Sequence, residues 1–180
     1  MSRIRFATIR ALFESFPEAL QHIGAAPTDE PPIAFLKRLV AEGKPDHANA
    51  VCAYLLPRRE AVWWGCESAR TLLGDRSRSE TAELAAAEAW AREPTEEKRR
   101  AALEVGTKAD SNAPMTWLAL AAGWSSGTLA STPFPVPAQM TARAVYVALL
   151  ICSRIVNAKE RPARLQLCIA EGIRLAETGP

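Results

Sequence analysis

The chain predicts an all-α fold, a single helical domain over residues 1–180. Its expected form is a compact multi-helix bundle or short irregular α-solenoid of about eight helices with a proline-rich strap. Three observations predict this. Alanine is abundant and β-branched residues are sparse, which favours helix over strand. Apolar residues recur at three- and four-residue spacing between proline, glycine, serine and threonine marks. No strict internal repeat of a common helical-repeat length is present, so an irregular stack is expected rather than a regular array.

The elements follow in order. An apolar period runs from Ile4 to Phe16, and Ser15 and Pro17 restart a short helix that ends at Gly24. Ala25 to Glu30 reads as a loop. Pro31 and Pro32 open a helix with the stripe Ile33, Leu36, Leu39 and Val40, stopping near Gly43. Asp46 starts the next, through Ala50, Cys52, Ala53 and Leu55, and Pro57 ends it. A tryptophan-bearing helix follows to Gly74. After the charged turn Asp75 to Ser79, Ser77 and Glu80 have capping-box spacing ahead of a helix reaching Arg92. Thr95 caps another, with Glu96 and Glu97 in the first turn where they complement the helix dipole. Its basic run Lys98, Arg99 and Arg100 is expected to be a solvated face paired with neighbouring glutamates. Asn112 and Pro114 begin a helix carrying Trp117, Leu120, Ala121 and Trp124 on one face. Ser125 to Pro137 is the one long irregular segment, a strap with proline at 133, 135 and 137 that packs over helices or displays Phe134. A long apolar helix spans Ala138 to Val156 and Asn157 caps it. Pro162 opens the last helix, in which Leu165, Cys168, Ile169, Gly172, Ile173 and Ala176 keep helical spacing.

Composition narrows the function classes. The 22 basic residues are dispersed among 20 acidic ones for a net charge of +2, which gives no extended basic patch for nucleic acid. The longest strictly apolar run, Ala144 to Cys152, falls well short of the ~20 residues of a membrane span. MSRIRFATIR interleaves arginine with apolar residues and lacks the continuous apolar core of a signal peptide. Cys52, Cys66, Cys152 and Cys168 are far apart, with no CxxC and no Cys/His cluster. They read as buried free thiols of a reducing, cytoplasmic setting, with no metal and no cofactor. His22 and His47 are isolated in sequence and read as surface or capping residues.

One local cluster exceeds what a scaffold needs: LPRREAVWWGCESAR, Leu56 to Arg70. On a helical wheel Val62, Cys66, Ala69 and Leu73 form the core stripe. Ala61, Gly65, Ser68 and Leu72 form a mostly small side where another helix can approach. Glu60, Glu67, Arg70 and Thr71 make a narrow polar strip edged by Trp63 and Trp64. That strip is either an ion-paired seam, with Glu67 and Arg70 as an i,i+3 pair, or the floor of a groove. Buried charges there must be paired, so an ion-pair network is expected between this helix and the Trp124–Gly127 turn. No nucleophile with a base beside it, no strand–turn–helix elbow at Ser125 to Gly127 and no phosphate loop is found, so a non-enzymatic role is expected.

The same residues carry a resemblance. FLKRLVAEGKPDHANAVCAYLLPRREAVWWGCESAR, AEAWAREPTEEKRRAALE and APMTWLALAAGWSSGTLASTPFPVPAQMTARAV resemble an uncharacterised proteobacterial all-helical family with a REAVWW(G/A)C signature, over Pro32 to Ser153. The matching positions include Leu56, Pro57, Arg59, Glu60, Ala61, Val62, Trp63, Trp64, Cys66, Ala69 and Arg70. Farther on they include Trp90, Pro94, Arg100, Pro114, Trp117, Ala121, Trp124, Ser125 and Gly127. Ala130 and Ser131 stand where the family carries more prolines. The resemblance implies genes lying near type VI secretion components and an accessory or adaptor role.

The expectation is a cytoplasmic protein-binding or adaptor protein, with another protein as partner and self-association compatible with the pattern. Its partner-binding residues would be Arg59, Glu60, Trp63, Trp64, Glu67, Arg70, Trp124 and Phe134. The rival readings are a small-molecule binder or enzyme with a pocket around Glu60, Trp63, Glu67 and Arg70, and a structural oligomer subunit.

Overall fold

The computed structural model describes residues 4–74, 81–128 and 134–178. Ten helices stand among them: α1 (Ile9–Ser15), α2 (Ala19–Ile23), α3 (Pro32–Ala41), α4 (Pro45–Leu55), α5 (Arg58–Leu73), α6 (Ala82–Arg92), α7 (Glu96–Lys108), α8 (Pro114–Gly123), α9 (Met140–Ile155) and α10 (Arg161–Thr178). They answer one for one to the segments marked along the sequence and so exceed the eight or so expected overall. No strand forms among the described residues. The one bridge pairs Thr128 with Pro135, and Val136 N–H donates to Gly127 O at 3.0 Å. These bonds pin the two described ends of the strap to each other and leave Phe134 67% exposed.

Local chemistry sets the boundaries. Thr8 accepts from Ala11 N–H, so α1 starts at Ile9 rather than near Ile4. Gly24 closes α2 in the left-handed region at φ 62°, as a C′ glycine does. Thr95 caps α7 through Lys98 N–H. The Ser77/Glu80 box lies outside the described residues, and the cap the structure shows for α6 is Thr81, accepting from Leu84 N–H. Asn157 does not cap the preceding helix, whose last flanking residue is Val156. It instead begins the turn into α10, its Oδ1 accepting from Lys159 N–H at 3.0 Å.

The architecture is a bundle, because helices far apart in sequence share one core. Packed on α5 are α6, α8, α9 and α10, and α4 is packed on α2, α3, α9 and α10. A solenoid would stack each helix chiefly on its sequence neighbours. The small side predicted on α5 is the contact that permits this. A Cβ at Gly65 would stand 2.9 Å from Leu118 of α8 and 3.0 Å from Val145 of α9. Nearly the whole circumference of α8 is buried, from Met115 through Gly123 apart from Trp117. The helix is correspondingly apolar all round. Arginines fasten the helix ends: Arg164 Nη1 of α10 donates to Leu72 O at the end of α5, 2.6 Å away. No helix among the described residues is long and apolar enough to cross a membrane.

The basic run of α7 departs from expectation at one position. Lys98 pairs with Glu93, and Arg100 with Glu96, on the surface. Arg99 is only 7% exposed. It holds Glu96 through two bonds of 2.7 Å and donates to Gly123 O at 2.6 Å, so it is buried against α8 rather than solvated.

Candidate functional site

The eight residues singled out on sequence grounds do not form one site. Pro57 ends the preceding segment and lets α5 begin at Arg58, which puts Arg58, Arg59 and Glu60 in its first turn. Trp63 follows one turn later, on the side facing α6. Together Arg59, Glu60, Trp63, Ala91 and Arg92 wall a mostly apolar cleft of about 220 Å³. The Arg92 guanidinium sits 5.9 Å from the Trp63 ring centroid, in the range of a cation–π contact. Arg59 is held rigidly: Nε donates to Ala91 O at 2.7 Å and Nη2 to Arg92 O at 3.1 Å, satisfying the carbonyls that α6 leaves open at its end. Glu60 is buried in the cleft wall.

Trp64 belongs elsewhere, although the wheel placed it at the edge of the polar strip. Its indole is fully buried, and Nε1–H donates to Cys168 O of α10 at 2.8 Å. The reason is α10 itself, which covers that edge and turns it into core. Glu67 and Arg70 lie farther along α5, half-buried. The carboxylate that Arg70 grips is Glu88 of α6, with Nε at 2.9 Å and Nη2 at 2.6 Å from Oε1, while Arg92 Nη2 reaches Oε2 at 3.3 Å. Glu88 is buried, and both of its oxygens are met by guanidinium groups, as a buried carboxylate requires. This part of the strip is therefore an ion-paired seam between α5 and α6.

Beside the Trp63 cleft, and sharing Arg59 with it, lies a more polar hollow of about 390 Å³ reaching Arg58, Thr95, Glu96, Arg99 and Ser126. Here the link from α5 toward the Trp124–Gly127 turn is made. It runs through a backbone carbonyl where ion pairs were expected: Arg58 Nη1 of α5 donates to Ser125 O at 2.6 Å, while Arg99 of α7 holds Gly123 O just before the turn. Gly127, at φ 84°, lets the chain turn against Arg99, whose Nη2 would lie 3.1 Å from a Cβ. Trp124 faces away into a third hollow with Trp117, Met140 and Arg143, its ring edge-on to Trp117 at 6.4 Å. Phe134 lines none of these hollows.

Sequence reasoning missed Glu88, Arg92, Arg58 and Arg99. A signal existed for the first two. Within AELAAAEAWAR a glutamate and an arginine at i,i+4 interrupt an alanine face, and the only way to bury such a face is to pair them. His22 was also misplaced. His22 Nδ1 lies 2.6 Å from the Tyr54 hydroxyl, and its ring stacks on Tyr146 at 4.5 Å, so it is a packed residue rather than a surface cap. Burial, helped by Arg143 and opposed by Glu18, holds its pKa below the usual imidazole value.

The four thiols are buried and free, as expected. Burial pushes Cys152 up to about 12 and Cys168 up to about 11, and raises Cys52 and Cys66 further. None is a thiolate near neutral pH, so none is poised as a nucleophile. Among the described residues no three His, Cys, Asp or Glu side chains converge to hold a metal ion.

Residues 35–176 match the model of a family of unknown function, DUF6931. The match takes in α4 through α9 entire and nearly all of α10. Neither a curated protein nor a solved structure matches the chain.

Proposed function

Because the chain belongs to the DUF6931 family, whose function is unknown, we propose its role from its own surface: a non-enzymatic protein-binding or adaptor module that engages its partner at the Trp63 cleft. The observation that carries this reading is the pairing of a half-buried indole with two arginines, one of them held in place by two backbone carbonyls. Trp63 offers a flat apolar face, Arg92 lies over it, and Arg59 is locked to the end of α6. Tryptophan and arginine in such a pocket are the residues that dominate binding hot spots. Their pre-organisation removes side-chain entropy that association would otherwise cost. The adjoining hollow adds Arg58, which extends the basic edge of the surface. The partner segment that fits presents one apolar side chain to Trp63 with carboxylates beside it. The buried, protonated thiols weigh against a cysteine-based enzyme.

The resemblance to genes that lie near type VI secretion components supplies the first partners to test. Affinity capture from native cells, read by mass spectrometry, is run with the wild-type chain, Trp63→Ala and Arg92→Gln, which removes the cation but keeps a donor toward Glu88. A hot spot loses about 2 kcal/mol or more on truncation, which is roughly thirtyfold in affinity. The expected result is one protein lost in common from both variants while their melting temperatures stay near wild type. Capture that neither variant changes would overturn the proposal.

A further inference from the structure

The polar hollow between the start of α5, the end of α6 and the start of α7 carries more positive charge than it cancels. Among the described residues its walls hold three guanidinium groups, Arg58, Arg59 and Arg99, and one carboxylate, Glu96. Glu96 is taken by Arg99 and Arg100, and Glu60 lines the neighbouring cleft instead. The uncancelled charges are therefore Arg58 and Arg59.

These two are held differently from the rest. Every other arginine among the described residues whose side chain is hydrogen-bonded meets a carboxylate. Arg58 and Arg59 meet only backbone carbonyls: Ser125 O for Arg58, and Ala91 O and Arg92 O for Arg59. A carbonyl fixes a guanidinium without cancelling its charge. It also leaves donors over, since a guanidinium has five N–H groups and these anchors use one of Arg58 and two of Arg59. The anchors locate both groups. Ser125 is itself a wall of the hollow, and Arg59 sits where α6 ends, just ahead of Pro94 and Thr95 in the same walls. Arg59 is exposed and Arg58 partly so. Two hydroxyls complete the lining. Thr95 Oγ1 accepts from Lys98 N–H and keeps its own proton to donate, and Ser126 is exposed.

We propose that this hollow binds a dianionic phosphate group, that of a phosphorylated side chain or of free phosphate. A phosphate monoester carries about −1.5 to −2 charge at neutral pH and presents three strong acceptor oxygens. That matches two uncancelled guanidiniums with hydroxyls beside them. A carboxylate has a single charge and leaves one guanidinium uncompensated. Attraction acts across the hollow, so a phosphate bonded to one guanidinium is still stabilised by the other. Arg59 is the one described residue shared with the Trp63 cleft, and phosphate binding does not depend on what that cleft takes.

Three probes are titrated into the full chain at constant ionic strength in a phosphate-free buffer. They are inorganic phosphate, a blocked glycine–phosphoserine–glycine peptide and its glutamate counterpart. NMR follows the Arg58 and Arg59 Nε–H resonances. The expected result is saturation by both phosphate probes at lower concentration than by the glutamate peptide. The tighter of the two names the source: the peptide a phosphorylated chain, the inorganic ion free phosphate. Arg58→Gln and Arg59→Gln should each weaken phosphate binding about tenfold, the loss of one charge-assisted hydrogen bond. Arg143→Gln removes the same charge from the Trp117–Trp124 hollow and should leave binding unchanged. The probes carry no apolar side chain for Trp63, so this test and the capture experiment can fail independently. Thermal melts show whether each variant is folded. If Arg58→Gln fails to fold, Arg59→Gln and the ranking of the probes on the wild-type chain still decide. Equal or tighter binding of the glutamate peptide, no saturation with either phosphate probe, an equal loss in Arg143→Gln, or wild-type binding by the folded Arg58 and Arg59 variants would each overturn the proposal.

Discussion

Trp64 donates its indole N–H to Cys168 O inside the core, whereas Trp63, the preceding residue, keeps part of its ring in the α5–α6 cleft. Alanine at 64 removes a buried indole and a hydrogen bond, and the expected cost is about 3–5 kcal/mol. Alanine at 63 should cost clearly less, and paired denaturant titrations read the difference. Cys66 is fully buried against the core. Cys66→Ser should cost about 1–3 kcal/mol by burying a hydroxyl where a thiol packs. His22 gives a pH dependence with a definite sign. Its folded pKa is depressed, so the neutral ring is the form the fold prefers. The stability this contributes is present above the ordinary imidazole pKa of 6.5 and is lost as pH falls below it toward the folded value. Melting temperatures between pH 7.5 and 5 should fall more steeply for the wild-type chain than for His22→Gln. At this scale the sequence made burial legible where periodicity governs, as at Val62, Cys66 and Ala69. It could not make the His22, Tyr54 and Tyr146 cluster legible, because three helices far apart in the chain supply it.

At the scale of elements, the contact between α7 and α8 depends on the lack of a side chain. A Cβ at Gly123 would stand 2.7 Å from both Cα and Cβ of Leu103, and one at Gly106 would stand 3.1 Å from Leu120 N. Backbone atoms cannot swing aside, so Gly123→Ala should force the helices apart and cost about 1–3 kcal/mol despite alanine's better helix propensity. A thermal melt that rises instead would contradict this. Helix starts were readable at Thr95, which caps through its own hydroxyl, and at Pro32 and Pro114, which open helices without a lost bond, but Thr8 and Thr81 cap in the same way and were passed over for Ile4 and the Ser77/Glu80 box. Which helix faces which was not readable. The polar strip of α5 shows that Arg70 needs a carboxylate. Only the placement of α6 decides that Glu88 is the one it reaches in the core.

Across the whole molecule, one apolar cluster runs from Ile9 of α1 to Ala176 of α10. Heat or denaturant should therefore unfold it in a single transition, with tryptophan fluorescence and far-ultraviolet circular dichroism coincident. Two separated transitions would break the expectation of one domain. Deleting residues 1–24 should also lower the melting temperature, because Phe16 and His22 leave Tyr54 without its ring contacts. The arginine fastenings give the same architecture a meaning in time. Arg99 reaches Gly123 O across 24 residues, Arg59 reaches Ala91 O across 32, Arg58 reaches Ser125 O across 67 and Arg164 reaches Leu72 O across 92. None of these bonds can close until the helices at both ends are docked, so they act as late latches. Lysine at these positions keeps the charge but not the fork. In stopped-flow experiments Arg58→Lys and Arg164→Lys should speed unfolding and leave the folding rate nearly unchanged, the pattern of interactions absent from the transition state. The lifetime of the folded chain would then be set at the ends of its helices rather than in their middles.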